Sequence, residues 1–184
     1  MIHMDLITLG GGCFWCTEAV FKRLKGVTEA ISGYAGEDSI STPNYDRVSA
    51  GNTKFVEAVQ IKFDPEIISV DRILEIFWAT HDPTTVNRQG NDVGTQYRSV
   101  IFYHDEDQKN IAEKSKLKVQ ESGQFKDNIV TKIELFTKFY SAENYHQNYY
   151  ETYKFSNPYC RNVITPKIQK IIRNFNEDVK PEFK

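Results

Sequence analysis

Apolar and polar positions along this chain fall into short blocks with two different periods. Residues 4–9 (MDLITL) form a brief apolar run that predicts a buried strand, and Gly10 to Gly12 break it. From Cys13 to Lys25 the pattern turns helical, with Ala19, Val20, Phe21 and Leu24 as its apolar positions and Gly26 as a stop. Residues 27–34 predict a second strand, and 35–53, rich in Gly, Ser, Asn and Pro, predict loop. Residues 54–63 alternate: Phe55, Glu57, Val59, Ile61 and Phe63 share one face of a strand that Asp64 and Pro65 end. An amphipathic helix follows over 70–79, built on Ile73, Leu74, Phe77 and Trp78.

A long polar stretch, 82–96, predicts a functional loop, because structureless loops of that length are uncommon in compact domains. Beyond it the pattern predicts a strand at 99–103, an exposed charged helix at 105–120, a strand at 129–136 and an aromatic-rich helix at 142–153. FSNPYC (155–160) predicts turn or coil, and Pro166 opens a last helix whose stripe is Ile168, Ile171, Ile172 and Phe175. The fold class expected is α+β: a mainly antiparallel or mixed sheet with helices on one side. Residues 1–184 are expected to form a single domain, with 176–184 as a frayed tail.

Composition narrows the function. The net charge is −2, which argues against a nucleic-acid binder with its basic stripe. No segment approaches the roughly 18 apolar residues of a membrane span, and the N-terminus is too acidic for a secretory leader, so a cytoplasmic address is expected. Three cysteines, Cys13, Cys16 and Cys160, are an odd number for a disulfide-stapled fold and point to catalysis or metal binding.

GGGCFWC (10–16) sits where a strand ends and a helix begins. The first turn of a helix carries unpaired N–H groups and partial positive charge, so a thiol there is expected as an activated thiolate. Phe14 and Trp15 read either as core anchors or as walls of a pocket for a small apolar group. Cys13 and Cys16 also read as a redox dithiol or as half a zinc site; zinc needs further ligands, from Cys160 and one of His3, His81, His104 or His146. Glu57 lies on an otherwise apolar strand face, where it is either a protonated acid able to donate to a substrate or a paired carboxylate at a sheet edge. Asp92 and Tyr97 in QGNDVGTQYRS, and Tyr45 in PNYDRVSAG, offer hydrogen-bonding groups. In AENYHQNYY, His146 reads as a satisfied histidine, and Tyr145 and Tyr149 as packing residues.

GCFWC, GYAG at 33–36, NYDRVSAG, VEAVQIKFDP, HDPTTVNRQGNDVGTQYRS, YHQNYY and a late YC, in that order from residue 10 to about 165, resemble the peptide-methionine (S)-S-oxide reductases. The resemblance implies a ferredoxin-like α/β sandwich with a C-terminal coil, and reduction of the S epimer of methionine sulfoxide, free or in proteins. It implies Cys13 as nucleophile, Glu57 as proton donor to the sulfoxide oxygen, and Tyr45 and Tyr97 as its hydrogen-bond donors. Phe14 and Trp15 would hold the methyl group, and Asp92 would support the site or the substrate backbone. A sulfenic acid on Cys13 would be resolved as a disulfide, with Cys160 the expected partner and Cys16 the alternative, and thioredoxin would reset the enzyme. No cofactor or metal is implied, and a monomer is expected. The chain departs from many members in having Cys16 in place of glycine, and in lacking a glycine-rich tail with two cysteines. Two other classes fit part of the pattern: a general dithiol–disulfide oxidoreductase using Cys16, and a zinc-binding or structural module.

Overall fold

A computed structural model of the chain describes residues 4–36 and 42–184. β1 (Asp5–Gly10) leads into α1 (Phe14–Phe21), followed by β2 (Val27–Ala35), α2 (Tyr45–Ser49), β3 (Val56–Phe63) and α3 (Val70–Thr80). Two short strands, β4 (Arg88–Gln89) and β5 (Asp92–Val93), precede β6 (Val100–Tyr103), α4 (Glu106–Glu121), β7 (Lys132–Leu135) and β8 (Phe139–Ser141). α5 (Tyr149–Tyr153) and α6 (Thr165–Asn174) close the order. The main sheet runs β7-β6-β1-β3-β2-β8; β6 and β7 are parallel and every other pair is antiparallel. The mixed sheet of an α+β fold is the architecture the alternating pattern predicts.

β3 shows why. Its period-two alternation turns Val59, Ile61 and Phe63 into the main core beneath the helices, together with Phe55 just before the strand. Val56 and Ala58 face the opposite way, into a smaller cluster with Ala35, Val100 and Phe102. α3 starts where Ser69 accepts the Arg72 N–H at 3.1 Å, and α4 where Asp105 accepts the Gln108 N–H at 2.8 Å, both ordinary side-chain caps. α3 buries Ile73, Leu74, Phe77 and Trp78, the stripe expected of it.

Five segments differ from expectation, the C-terminal tail being the last. The 35–53 loop contains α2, capped by Asn44; its residues 37–41 lie outside the described ones. The 82–96 stretch folds into the β4–β5 hairpin and a 3-10 turn at Thr95–Tyr97. The expected helix 142–153 is instead a 3-10 turn at Asn144–His146 followed by α5, because Asn148 adopts a left-handed conformation (φ 54°) that no helix continues through. Cys160 is not in coil: residues 160–164 form a π-helical turn running directly into α6.

The tail is not frayed. Val179 is completely buried and bridges Leu24, while the Lys25 N–H donates to the Asp178 carbonyl and the Lys180 N–H to that of Arg23. Arg72 clamps Asp178 through Nε and Nη2. An isolated valine in a polar stretch has no periodicity to read, so its slot beside Leu24 is invisible in the sequence. Val179→Ala is expected to cost about 1.5–3 kcal/mol, measured as a lowered urea midpoint; an unshifted midpoint would return the tail to solvent.

Candidate functional site

The nucleophile loop is built by close approach. A Cβ on Gly10 would come within 2.8 Å of the Val56 and Val100 side chains, so β1 can end between its neighbours only as glycine. Gly12 has φ +92°, a conformation that favours glycine, and this turns the chain into α1. Cys13 is therefore the residue just before the first turn of α1, with φ −54° and ψ 124°.

The next amide defines the site. Phe14 N–H donates to Glu57 Oε2 at 3.1 Å, tying the start of α1 to β3. Glu57 is only 2% exposed, and burial drives its pKa from 4.5 up to about 8. The Phe14 amide opposes that rise, and the charges of Asp92 and Cys16 add to it. At neutral pH the group is mainly a carboxylic acid. Of the two readings open for Glu57, its burial and raised pKa favour the protonated acid over a paired carboxylate at a sheet edge.

A cavity of about 210 Å³ brings Cys13, Phe14, Trp15, Tyr45, Glu57, Asp92 and Tyr97 together with Tyr159. Two larger clefts, one between β2 and the 141–148 segment and one between α4 and β7, are lined by no cysteine. Trp15 is a wall held from outside: its ring stacks on Tyr149 at 3.7 Å and its Nε1–H donates to His146 Nδ1 at 3.0 Å. Phe14 is fully buried against Tyr34 and His146. Burial pushes the Tyr45 hydroxyl up to about 12 and raises Tyr97 further, the Glu57 and Cys13 charges adding to both. Both hydroxyls keep their protons and remain donors.

The three thiols are free. Burial is the largest cause raising Cys13 well above the ordinary thiol range, followed by its hydrogen bond with Cys16 and the charges of Cys16 and Glu57. That direction opposes the expectation of a resting thiolate at position 13: burial raises the thiol against the partial charge of a two-turn helix. Cys16 goes the other way, lowered first by the Cys13 hydrogen bond, against burial, and then by Lys167 and the Tyr159 hydroxyl. Cys160 has no solvent exposure and lies outside the cavity lining. His3 lies outside the described residues, and among the described residues no group of three or more His, Cys, Asp or Glu is placed to hold a metal ion.

Four contributors were given no role in the site from the pattern. Tyr159 lines the cavity and donates to Asp92 Oδ2 at 2.8 Å; the YC dipeptide had drawn attention to its neighbour Cys160. Glu143 accepts from the Tyr45 N–H and the Tyr34 hydroxyl, both at 2.8 Å, and so sets the start of α2. Tyr149 and His146, read as packing or satisfied residues, fix the Trp15 indole.

The peptide methionine sulfoxide reductase family model matches residues 5–180. The chain belongs to this family. A peptide methionine sulfoxide reductase MsrA of Saccharolobus solfataricus is 51% identical over 177 residues, 96% of this chain and 98% of that one. An MsrA of Leptospira borgpetersenii is 52% identical over 92% of this chain and 94% of its own. Among solved structures, reduced Mxr1 from Saccharomyces cerevisiae superposes with a TM-score of 0.76 at 36% identity, covering 84% of this chain and 88% of Mxr1. Mxr1 has also been solved in complex with Trx2, where the match is 28% identical with a TM-score of 0.54 over 79% of this chain and 84% of that one. This sulfoxide reductase family member has no helix among its described residues long and apolar enough to cross a membrane.

Proposed function

We propose that this enzyme reduces the S epimer of methionine sulfoxide, free or in oxidised proteins, through thiol chemistry at Cys13. The observation that carries the reading is a thiol and a buried carboxyl, its pKa raised to about 8, on one small aromatic-walled cavity. A sulfoxide sulfur is a poor electrophile until its oxygen is protonated, so a thiol acting on it needs an acid beside it. Glu57 supplies that proton, and the Tyr45 and Tyr97 hydroxyls hold the oxygen. Phe14 and Trp15 take the methyl group, and Asp92, held by Tyr159, supports the substrate's polar part.

The substrate S–O bond breaks and an S–O bond forms on Cys13. Methionine leaves two electrons richer, and Cys13 becomes a sulfenic acid. The Cys13 proton replaces the one Glu57 gave up. A second thiol of the chain then expels the hydroxyl as water, forming a disulfide that a thioredoxin-class dithiol reduces. The Trx2 complex of yeast Mxr1 supports that class of reductant.

The test offers dithiothreitol and each epimer separately, with methionine release as the readout. Turnover is expected with the S epimer and at least about 100-fold less with the R epimer, because the acid and the methyl pocket occupy different walls. Equal turnover of the two would sink the assignment.

A further inference from the structure

We propose that Cys16 is the thiol that resolves the Cys13 sulfenic acid, closing a disulfide across the first turn of α1 while Cys160 stays outside that step. The inference rests on the sulfoxide-reductase reading above. Cys13 and Cys16 are joined by the first turn itself: the Cys16 N–H donates to the Cys13 carbonyl at 3.1 Å. Helical positions three apart hold their Cβ atoms about 5–6 Å from each other. A disulfide needs about 3.5–4.5 Å. Cys13 can supply the difference, because its backbone is not helical and it follows three glycines.

Cys160 has no such freedom. It opens a helical run in which the Arg161 N–H donates to Asn157 and Thr165 Oγ1 donates to the Cys160 carbonyl at 3.0 Å. Its thiol is raised by burial and then by the charge on Cys16. Cys16 is thus the thiol whose charge weighs on both of the others. Cys160 is held within a hydrogen-bonded π-helical run, whereas Cys16 shares a single turn with Cys13.

The ionisation pattern suits the role. Cys16 is the more acidic thiol of the pair, and a thiolate is the attacking species. As it attacks the sulfenyl sulfur, the S–S bond forms and the S–O bond of Cys13 breaks. The hydroxyl leaves as water with the proton Cys16 had given up. The return step fits too. Cys13 is 8% exposed and Cys16 3%, so an incoming dithiol meets Cys13 first. Cys16 then departs, and the lower-pKa thiol is the faster leaving group.

The experiment is a single turnover of the full-length enzyme with L-methionine-S-sulfoxide and no reductant, followed by alkylation and tryptic mapping. Cys13 and Cys16 share the peptide 1–22, whereas Cys160 falls in 155–161. The expected product is peptide 1–22 lighter by two hydrogens, with Cys160 still alkylatable. Cys160→Ser should keep thioredoxin-driven turnover within about twofold of wild type. Cys16→Ser, and Cys16→Ala as a second variant, should release one equivalent of methionine and stop as a sulfenic acid that dimedone labels. A first-turnover cross-link between 1–22 and 155–161 through Cys13, or wild-type disulfide formation in both Cys16 variants, would overturn the proposal. Failure of the wild type to release methionine at all would strike the underlying reading instead.

Discussion

Glu57→Gln is expected to lower kcat/KM for the sulfoxide by about 10²–10⁴-fold while making the protein more stable at alkaline pH. Both effects come from one fact, that a carboxyl is held in an apolar wall. Its pKa is raised from 4.5 to about 8, chiefly by burial. In the folded state the group keeps its proton to higher pH than in the unfolded chain. The unfolded state therefore binds fewer protons between about pH 4.5 and pH 8, and stability falls as pH rises through that window. The loss is complete above about pH 8, where it amounts to ~3–5 kcal/mol. Glutamine keeps the oxygen that accepts the Phe14 N–H and has no charge to desolvate. Wild type and variant should thus have similar urea midpoints near pH 4 and diverge in favour of glutamine by pH 9. The activity profile carries the same signature: wild-type turnover declines as pH climbs through about 8, where the acid form disappears. A variant that lost activity without gaining alkaline stability would mean that Glu57 is not a buried acid but a paired carboxylate.

What was legible in the chain depended on whether a signal was local. The alternation in β3, the stripe of α3 and the glycine break before Cys13 each lie within ten or so residues. They placed the sheet, the helices and the junction carrying the thiol. Seven residues nominated for the site line one cavity, from segments as far apart as Cys13 and Tyr97. Their grouping was legible only through the ordered family motifs, since period and propensity say nothing about which loops converge. The second layer was not legible at all. Tyr149 under Trp15, Glu143 behind Tyr45 and Tyr159 on Asp92 are contacts across more than 60 residues. Their side chains look like any half-buried polar or aromatic residue. Ionisation was misread for a related reason. A helix start is visible in sequence, but the desolvation that overrides it depends on how much chain is stacked over the thiol.

Cys13→Ser is expected to abolish sulfoxide turnover altogether, with substrate still bound, and the route to that loss differs from the simplest picture of an activated thiol. The resting enzyme is expected to hold Cys13 as a neutral thiol, because burial, followed by the hydrogen bond and charge of Cys16, raises its pKa well above the ordinary thiol range. Cys16 is shifted the other way, lowered to about 7, first by the Cys13 hydrogen bond. In the free enzyme, alkylation of Cys13 by iodoacetamide should accordingly be slow at pH 7 and accelerate only at strongly alkaline pH, whereas Cys16 reacts as far as its burial allows. A bound sulfoxide changes the balance. Once Glu57 gives its proton to the sulfoxide oxygen, positive character on the substrate sulfur faces Cys13, and the thiol proton can pass to the vacated carboxylate as the new bond forms. On the proposed mechanism attack and proton movement are coupled, so Cys13 and Glu57 are never both negatively charged in the apolar wall. Serine cannot replace the thiol in this scheme: its hydroxyl is far harder to deprotonate and its oxygen cannot take up the transferred oxygen atom as sulfur does. The decisive pair of measurements is methionine release by Cys13→Ser, expected to be indistinguishable from background, and the pH dependence of Cys13 alkylation in wild type. Fast alkylation of Cys13 at pH 6 in the free enzyme would restore the resting thiolate and assign Glu57 the proton transfer to oxygen alone.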